Sequence, residues 1–259
     1  YTGEDTLSLH DALPIWLEGE DLAEFEYRQR KEDLFKHELL RVGIKAVYVD
    51  EFSEITDILR EIERRHKRKT IFISGAAHDY SPWTESEAEQ FVYKLSKAIS
   101  KEHYRVISGF GLGVGSAVIS GALYEIYHKQ KKSLTDQLIL RPFPQGDDAK
   151  EMWETYRQDM ISYSGISIFL LGNKKEGETT VLSNGMRSEY EISKKQGNFL
   201  IPIGRTGYIS EVLWNELLKE KQDDHTFDIY RHDIVSLGDN TKALDEVIEI
   251  VIELIKKVK

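Results

Sequence analysis

The 259-residue chain contains no cysteine. This absence excludes a disulfide framework, a thiol nucleophile and any zinc or iron–sulfur site held by thiolates. The eight histidines provide no His-x-x-x-His pair, and no set of carboxylates has the spacing of metal ligands. The Gly-x-Ser-x-Gly sequence of a serine hydrolase is also missing. We therefore expect no metal site and no cofactor.

Long apolar segments are missing as well. No run approaches the roughly 20 apolar residues that a membrane-spanning helix needs, and nothing resembles a secretory signal. We therefore expect a cytoplasmic protein with no membrane partner. The 45 acidic residues outnumber the 35 basic ones and give a formal net charge of −10. This balance disfavours nucleic acid as a partner, because such binding depends on neutralising phosphates with Lys and Arg.

The first residues do not begin with Met and read YTGEDTLSLHDALPI over Tyr1–Ile15. This peptide resembles the translation of a sequencing adapter at the end of a truncated contig. The alternative is an amphipathic helix with apolar positions at Leu7, Leu9, Leu13 and Ile15. We expect residues 1–15 to carry no function and the natural protein to continue upstream.

Residues 16–68 form the next region. Their apolar pattern predicts a helix over Glu18–Arg41, a short strand over Ile44–Val49 and an amphipathic helix over Asp50–Arg65. The basic run RRHKRK follows at residues 64–69. Such a run can bind polyanions, but in an acidic chain a solvated linker is the favoured interpretation. We place a domain boundary near residue 68.

From Thr70 onwards, short apolar segments alternate with amphipathic helices. This alternation is typical of an α/β fold with a mostly parallel sheet that is covered by helices on both faces. Strands are predicted at Ile71–Ser74, Tyr104–Ser108, Gln137–Leu140, Ile166–Leu171 and Phe199–Ile203, with a loop opening at Gly172–Lys174. Helices are predicted at Glu85–Ser100, Ala117–His128, Trp153–Ser164 and Arg187–Gln196, and near residues 208–221 and 241–258.

A glycine-rich segment, Gly109–Ser116, follows the second of these strands. In open α/β sheets, ligands bind beyond the carboxyl ends of the strands. Glycines let backbone N–H groups approach a phosphate, and the start of a helix adds a favourable dipole. The glycine spacing is not the dinucleotide-binding fingerprint, and no P-loop lysine follows. The segment therefore predicts a phosphate site, with a tight turn needed only for packing as the alternative.

Three charged residues are expected near the same edge of the sheet. Arg157 suits a bidentate grip on phosphate, Lys174 follows a buried strand, and Glu189 could bind ribose hydroxyls or stabilise a glycosyl cation. Each has a simpler alternative: a surface salt bridge for Arg157, an ordinary loop lysine, and a first-turn carboxylate that stabilises a helix dipole. Their convergence on one edge favours the functional interpretation.

Six segments between Thr70 and Leu218 carry a family likeness: FISGAA, ISGFGLGVGSAVISGAL, LILRPFPQG, YRQDMI, IFLLGNK and MRSEYEI. This stretch resembles the SLOG domain of Thoeris antiphage-defence effectors, a Rossmann-like domain. The resemblance implies a sensor for a cyclic ADP-ribose isomer that a partner TIR-domain enzyme makes. It also implies a homo-oligomeric parent whose sirtuin-like domain hydrolyses NAD+, with residues 16–68 as the end of that domain and residues 69–259 as the SLOG domain.

The resemblance further implies which residues contact the ligand. Arg157 and Lys174 would bind the diphosphate, Glu189 would bind the ribose hydroxyls, and the glycine-rich segment would supply backbone donors. No counterpart of the sirtuin-like catalytic Asn and His is present, so this chain is expected to be a sensor with no catalytic residue. The full expected set is Arg157, Lys174, Glu189, Gly111, Leu112, Gly113, Gly115, Ser116, Phe110, Ala76, Gly75 and Asn173.

Two other functions have to be weighed against the sensor. LOG-type phosphoribohydrolases are related to SLOG domains and use an arginine and a glutamate, for which Arg157 and Glu189 are the counterparts. Their Gly-Gly-x-Gly-Thr-x-x-Glu loop is reduced here to NGMRSE at residues 184–189, which puts nucleotide hydrolysis in doubt. Single-stranded DNA binding, as in the related DprA-type proteins, is disfavoured by the acidic charge and the lack of a basic, aromatic-laced groove.

Overall fold

The computed structural model describes residues 21–46, 49, 52–130, 137–144 and 149–258. The opening peptide, residues 1–15, lies outside these described residues, and so do Gln145 and Gly146 of the RPFPQG segment.

The chain divides into two compact units, with the division between Asp57 and Ile58. In the first unit, helix α1 spans Leu22–Arg41 and begins at a capping box formed by Asp21 and Glu24. Helix α2 spans Phe52–Arg68 and crosses the division. The domain boundary near residue 68 stays a prediction, since this division concerns packing only.

The strand predicted at Ile44–Val49 is not formed at residues 44–46 or at residue 49. Residues 47 and 48 lie outside the described part of the chain. A strand needs a hydrogen-bonded neighbour, and none pairs with these residues within the part that the structure describes. A β-branched and aromatic run was therefore not sufficient to predict a strand here.

Five parallel strands form one sheet, in the order β3-β2-β1-β4-β7. All six residues of β4 are buried, because a parallel sheet that is covered on both faces needs continuous apolar strands. The predicted α/β fold with a mostly parallel sheet is thereby confirmed. The strands of the sheet are β1 Thr70–Ala76, β2 Arg105–Ser108, β3 Leu138–Leu140, β4 Ile166–Leu171 and β7 Phe199–Pro202.

Helices cover both faces of this sheet. Ile71 and Ile73 of β1 belong to the larger apolar cluster, whereas Phe72, which points to the opposite face, packs with Met160 and Ile192. No helix among the described residues is both long and apolar enough to cross a membrane. The helices of the second unit are α3 Glu85–Lys101, α4 Gly115–Glu125, α5 Ala149–Ser162, α6 Asn184–Lys195, α7 Tyr208–Glu220, α8 Asp228–Ser236 and α9 Leu244–Lys257.

Three further elements, two strands and one helix, were not predicted from the sequence. Where a loop was predicted, strands β5 (Asn173–Glu176) and β6 (Thr179–Leu182) form an antiparallel hairpin that turns at Gly177. The prediction missed this hairpin because its strands are mostly polar and exposed, so they lack the apolar alternation that marks a strand. Helix α8 was also missed, because it has few buried residues.

Candidate functional site

The order of the strands locates the region where a ligand would bind. β1 lies between β2 and β4, so the chain runs outwards from β1 in one direction through β2 and β3 and in the other through β4 and β7. In sheets of this type, the ligand occupies the crevice beyond the carboxyl ends of the strands where this order reverses. In this chain, the last residues of β1 and β4 mark that position.

A buried hydrogen bond joins β1 to α6 at this position. The hydroxyl of Ser74, near the end of β1, donates to Oε2 of Glu189 at 2.5 Å, and both residues are buried. α6 begins at Ser183, whose side-chain oxygen accepts from the N–H of Met186 at 3.3 Å. This cap fixes the first turn of α6, and Glu189 projects from the next turn towards β1.

Arg157 of α5 completes a cluster of three polar side chains, which we call the Arg–Glu–Ser cluster (Arg157, Glu189 and Ser74). Nε of Arg157 lies 3.5 Å from Oε1 of Glu189, and both side chains are almost completely buried. That nitrogen makes no hydrogen bond with any other part of the chain that the structure describes. The pair is therefore a loose contact between opposite charges, and the guanidinium retains donor capacity for a ligand.

The cluster is electrostatically unusual. Burial raises the pKa of the Glu189 carboxyl, while the hydrogen bond from Ser74 and the charge of Arg157 act in the opposite direction without cancelling it. Groups whose pKa is shifted by burial and by a nearby charge cluster at functional sites. Chemically, such a pair can hold an anionic group and a hydroxyl-bearing group side by side.

Aromatic rings hold the Arg157 guanidinium in place. Its carbon atom lies 5.0 Å from the ring centre of Phe143 and 5.8 Å from that of Trp153. The indole N–H of Trp153 donates to the carbonyl of Pro144, and the hydroxyl of Tyr156 donates to that of Pro142, each at 3.1 Å. These two bonds fix the segment after β3 against α5, so Phe143 stays beneath the guanidinium.

Two glycines leave room for this arrangement. A Cβ at Gly109 would lie 2.9 Å from the Phe143 ring, and a Cβ at Gly185 would lie 2.8 Å from Nη2 of Arg157. Any side chain at Gly185 would therefore push against the guanidinium. The carboxyl ends of β1, β2 and β3 thus contribute to one continuous site together with α5 and α6.

The glycine-rich segment packs closely over the end of β1. A Cβ at Gly111 would lie 2.0 Å from the Gly75 carbonyl oxygen, and one at Gly113, where φ is +75°, would lie 2.3 Å from that of Ala77. The N–H of Ala77 donates to the carbonyl of Leu112 at 2.9 Å. These contacts require glycine, so part of the glycine pattern serves packing, which was the alternative interpretation.

The remaining residues predicted in this segment occupy different positions. Phe110, at φ +57°, is 50% exposed, and Leu112 is 84% exposed, so both side chains are accessible at the edge of the sheet. The N–H of Gly115 donates to the carbonyl of Gly111 at 2.8 Å. That N–H is therefore already used within the segment. Ser116 lies on α4, in a groove that α3 also lines.

Gly75 and Ala76 form the end of β1 beneath this segment. The carbonyl of Ala76 accepts from the N–H of Gly172 at 2.8 Å, just beyond β4. Gly172 has φ +101°, and Leu171 before it has φ +59°. The backbone turns sharply there and leads directly into the β5–β6 hairpin.

The two predicted residues of the hairpin differ in environment. Asn173 is buried; its side-chain oxygen accepts from the N–H groups of His78 and Asp79 at 2.8 Å, and its amide donates to the Asp79 carbonyl at 2.7 Å. The side chain of Lys174 is 43% exposed, and its Nζ lies 3.9 Å from Oε2 of Glu176. Asn173 thus holds the loop after β1 in place, while Lys174 is available to a ligand.

Sequence reasoning did not single out Ser74, Phe143 or Gly185. Ser74 carried a usable signal, because it is a polar residue at the end of an apolar strand. Phe143 and Gly185 carried none, since their roles depend on contacts with Arg157. Within the described residues, no group of three or more potential ligands could hold a metal ion.

A parallel sheet of this order, with a glycine-rich segment after β2 and helices on both faces, defines a Rossmann-like domain. The chain belongs to the STALD family, the Sir2- and TIR-associating SLOG family, whose profile matches residues 54–258.

Curated relatives agree with this assignment. The chain is 48% identical over 198 residues to the NAD(+) hydrolase ThsA of Bacillus cereus (strain MSX-D12), which covers 76% of the chain and 42% of that protein. It is 39% identical over 242 residues to the NAD(+) hydrolase ThsA of Enterococcus faecium, and this match covers 92% of the chain and 50% of that protein. The NAD(+) hydrolase ThsA of Cytobacillus dafuensis is 38% identical over 245 residues, and the match covers 92% of the chain and 49% of that protein. The chain spans about half the length of these relatives.

Proposed function

We propose that this chain is the nucleotide-sensing part of an antiphage-defence effector, and that it binds a cyclic ADP-ribose isomer without cleaving it. One observation carries the proposal. The Arg–Glu–Ser cluster is buried at the carboxyl edge of the sheet, and its guanidinium retains unused donor capacity beside a carboxylate. An arginine next to an acceptor oxygen suits a ligand that carries phosphate and ribose hydroxyls together.

The remaining residues at this edge fit the same ligand. Lys174 supplies a second, accessible cation for a diphosphate. Phe110 and Leu112 of the glycine-rich segment present exposed apolar surface against which a purine could pack. Glu189 would accept hydrogen bonds from ribose hydroxyls as a carboxylate, a state that its raised pKa makes sensitive to pH.

In the parent protein, the ligand would be a messenger from a partner TIR-domain enzyme. Its binding would shift a homo-oligomer towards the arrangement in which a sirtuin-like domain hydrolyses NAD+. Residues 16–68 would be the end of that domain, and the assembly would work in the cytoplasm. The curated relatives support this view, because each is called an NAD(+) hydrolase and each is about twice as long as the region it shares.

A second candidate is a phosphoribohydrolase that cleaves the N-glycosidic bond of a nucleotide. The observation in its favour is the Arg157–Glu189 pair itself, because a buried glutamate with a raised pKa can stabilise or protonate a reacting sugar. The start of α6 argues against it. Residues 184–189 lack the glycine–threonine pair that holds a monophosphate in LOG-type enzymes.

Chromatography of incubated ligands separates the two candidates. The chain is incubated with AMP and, separately, with each available cyclic ADP-ribose isomer, and the products are resolved. If the chain is a sensor, both kinds of ligand are expected to remain chemically unchanged. A bound cyclic isomer is then expected to elute together with the protein from a desalting column. Release of ribose 5-phosphate from AMP, lost in Glu189→Gln, would instead establish the hydrolase.

A further inference from the structure

A cavity lies on the opposite side from the Arg–Glu–Ser cluster, at the end of the sheet where the strands begin. It has a volume of about 360 Å³, which is within the range of small-molecule sites. Phe199 and Leu200, the first residues of β7, form its floor. The surrounding residues come from the ends of α2, α6 and α7, from the segment leading into α8 and from the first turn of α8.

The basic run at the end of α2 supplies the cation of this cavity. Arg64 and Arg65 both pair with Glu61, and Lys67 pairs with Glu63 at 2.8 Å. These are ordinary ion pairs along one helix. Arg68 differs, because it lines the cavity and its guanidinium is not held in a close ion pair within the part of the chain that the structure describes, although Glu61 and Tyr230 act on it electrostatically.

The other charges of the cavity are already paired. Lys194 contacts Glu220, and Lys221 contacts Asp224 at 2.8 Å. Arg68 is therefore the positive charge of the lining that is not in a close ion pair among the described residues. Partial burial lowers its pKa, as does the nearby Arg64, and the opposing effects of Tyr230 and Glu61 do not cancel this. A partly buried guanidinium with no anion in close contact is stabilised when an anion binds.

Aromatic rings form the apolar side of the same cavity. The rings of Phe199 and Tyr230 meet edge to face with their centres 4.7 Å apart, and the centres of Phe227 and Tyr230 are 6.2 Å apart. Such a wall accommodates a flat heterocycle. The hydroxyl of Thr226 and the carboxylates of Glu220 and Asp224 provide acceptors for ligand hydroxyl or amino groups.

We propose that this cavity is a second small-molecule site, and that it takes a nucleoside monophosphate. The phosphate pairs with Arg68, and the base packs against Tyr230 and Phe199. The ribose hydroxyls lie near Thr226. This site is separate from the Arg–Glu–Ser cluster, since it is built on the amino ends of the strands, and it does not depend on the function proposed for that cluster.

Titration of the chain with AMP, followed by NMR, tests the proposal. Saturable shifts are expected at Phe199, Phe227 and Tyr230, while adenosine and inorganic phosphate, each carrying half of the ligand, bind at least tenfold more weakly. The Arg157→Ala variant serves to remove any binding at the other edge, and these shifts are expected to persist in it.

Variants of α2 decide the role of Arg68. Arg68→Ala is expected to weaken AMP binding about tenfold or more, and Arg68→Lys to restore part of it, because lysine keeps the charge but not the planar fork. Arg64→Ala is the matched control and leaves the affinity unchanged. Equal affinities of Arg68→Ala and the wild-type chain, or shifts confined to residues around Arg157, would overturn the proposal.

Discussion

Arg157 is held on one side by the rings of Phe143 and Trp153 and on the other by the carboxylate of Glu189. Trp153 lies on the same helix, whereas Phe143 and Glu189 belong to other elements of the fold. Its position therefore depends on the fold as a whole and can be altered from several directions. Gly185 offers the most specific way to do so.

Gly185→Ala is expected to weaken ligand binding without weakening the fold. The new Cβ would lie 2.8 Å from Nη2 of Arg157 and would force the guanidinium aside. Because Gly185 lies in the first turn of α6, alanine would raise the free energy of unfolding by up to about 1 kcal/mol. We expect about tenfold weaker binding of the cyclic isomer by calorimetry. Glu191→Ala, on an exposed position of α6, is the control and should bind normally.

Glu189 makes stability depend on pH with a defined sign. Burial raises its pKa above the ordinary value of 4.5 in the folded chain, so the folded state holds the proton more tightly than the unfolded state. The resulting stabilisation is complete below about pH 4.5 and is lost as the pH rises through the folded pKa. We expect the free energy of unfolding of the wild-type chain, relative to Glu189→Gln, to fall over that range in urea titrations. A rise would contradict the account.

At the residue level, sequence reasoning found the charged groups but not their surroundings. Arg157 and Glu189 could be proposed because arginine suits phosphate and glutamate suits ribose hydroxyls, and because the family resemblance implied both as ligand contacts. The bond from Ser74 to Glu189 joins residues 115 positions apart, and no local pattern predicts such a contact. The same holds for the support that Phe143 gives to Arg157.

The β5–β6 hairpin and the glycine-rich segment shape the site at the level of elements. Both are attached to the end of β1: the segment through Leu112 and Ala77, and the hairpin through Asn173 and the loop after β1. Two neighbouring residues of the hairpin therefore make different contributions. Asn173 holds the backbone of His78 and Asp79 in place, whereas the side chain of Lys174 is accessible to solvent and to a ligand.

Paired substitutions in the hairpin separate these contributions. Asn173→Ala removes three hydrogen bonds and leaves buried backbone groups unpaired, which should lower the free energy of unfolding by about 2–4 kcal/mol. Lys174→Ala should change stability by less than about 0.5 kcal/mol but weaken binding of the cyclic isomer several-fold. Urea titration and calorimetry on both variants test this. Equal stabilities, or unchanged binding in Lys174→Ala, would contradict these assignments.

Most elements of the second unit could be predicted because their apolar residues recur at the spacing of an amphipathic helix or form a continuous run typical of a buried strand. β4 coincides with its predicted range, and α3 begins at the predicted Glu85. The hairpin and α8 could not be predicted, since both are largely exposed and their stability comes from contacts rather than from a buried stripe. The strand expected at Ile44–Val49 had the right residue types but no partner among the described residues.

At the level of the whole molecule, the two ends of the parallel strands carry different chemical groups. The carboxyl edge carries the buried Arg–Glu–Ser cluster, and the amino edge carries the cavity lined by Arg68. In this acidic chain, with a net charge of −10, Arg157 thus lies in a polar cluster at one end of the strands, and Arg68 lines a cavity at the other.

The curated relatives of this chain are called NAD(+) hydrolases and are about twice as long as the region they share with it. A sensor in a protein of this kind acts only if its ligand binds two arrangements of the assembly with different affinity. The binding step proposed for this chain can be measured on the chain alone. It is therefore the part of the account to test first.

Calorimetric titration of the chain with purified cyclic ADP-ribose isomers tests the central claim most directly. The account predicts saturable binding of at least one isomer with one site per chain. Arg157→Ala should weaken it about 100-fold, as expected for losing hydrogen bonds from a charged group. Arg187→Ala, which breaks only the surface pair with Glu216, should bind normally. Binding that is equally strong in Arg157→Ala, or no binding of any isomer to the folded wild-type chain, would contradict the account.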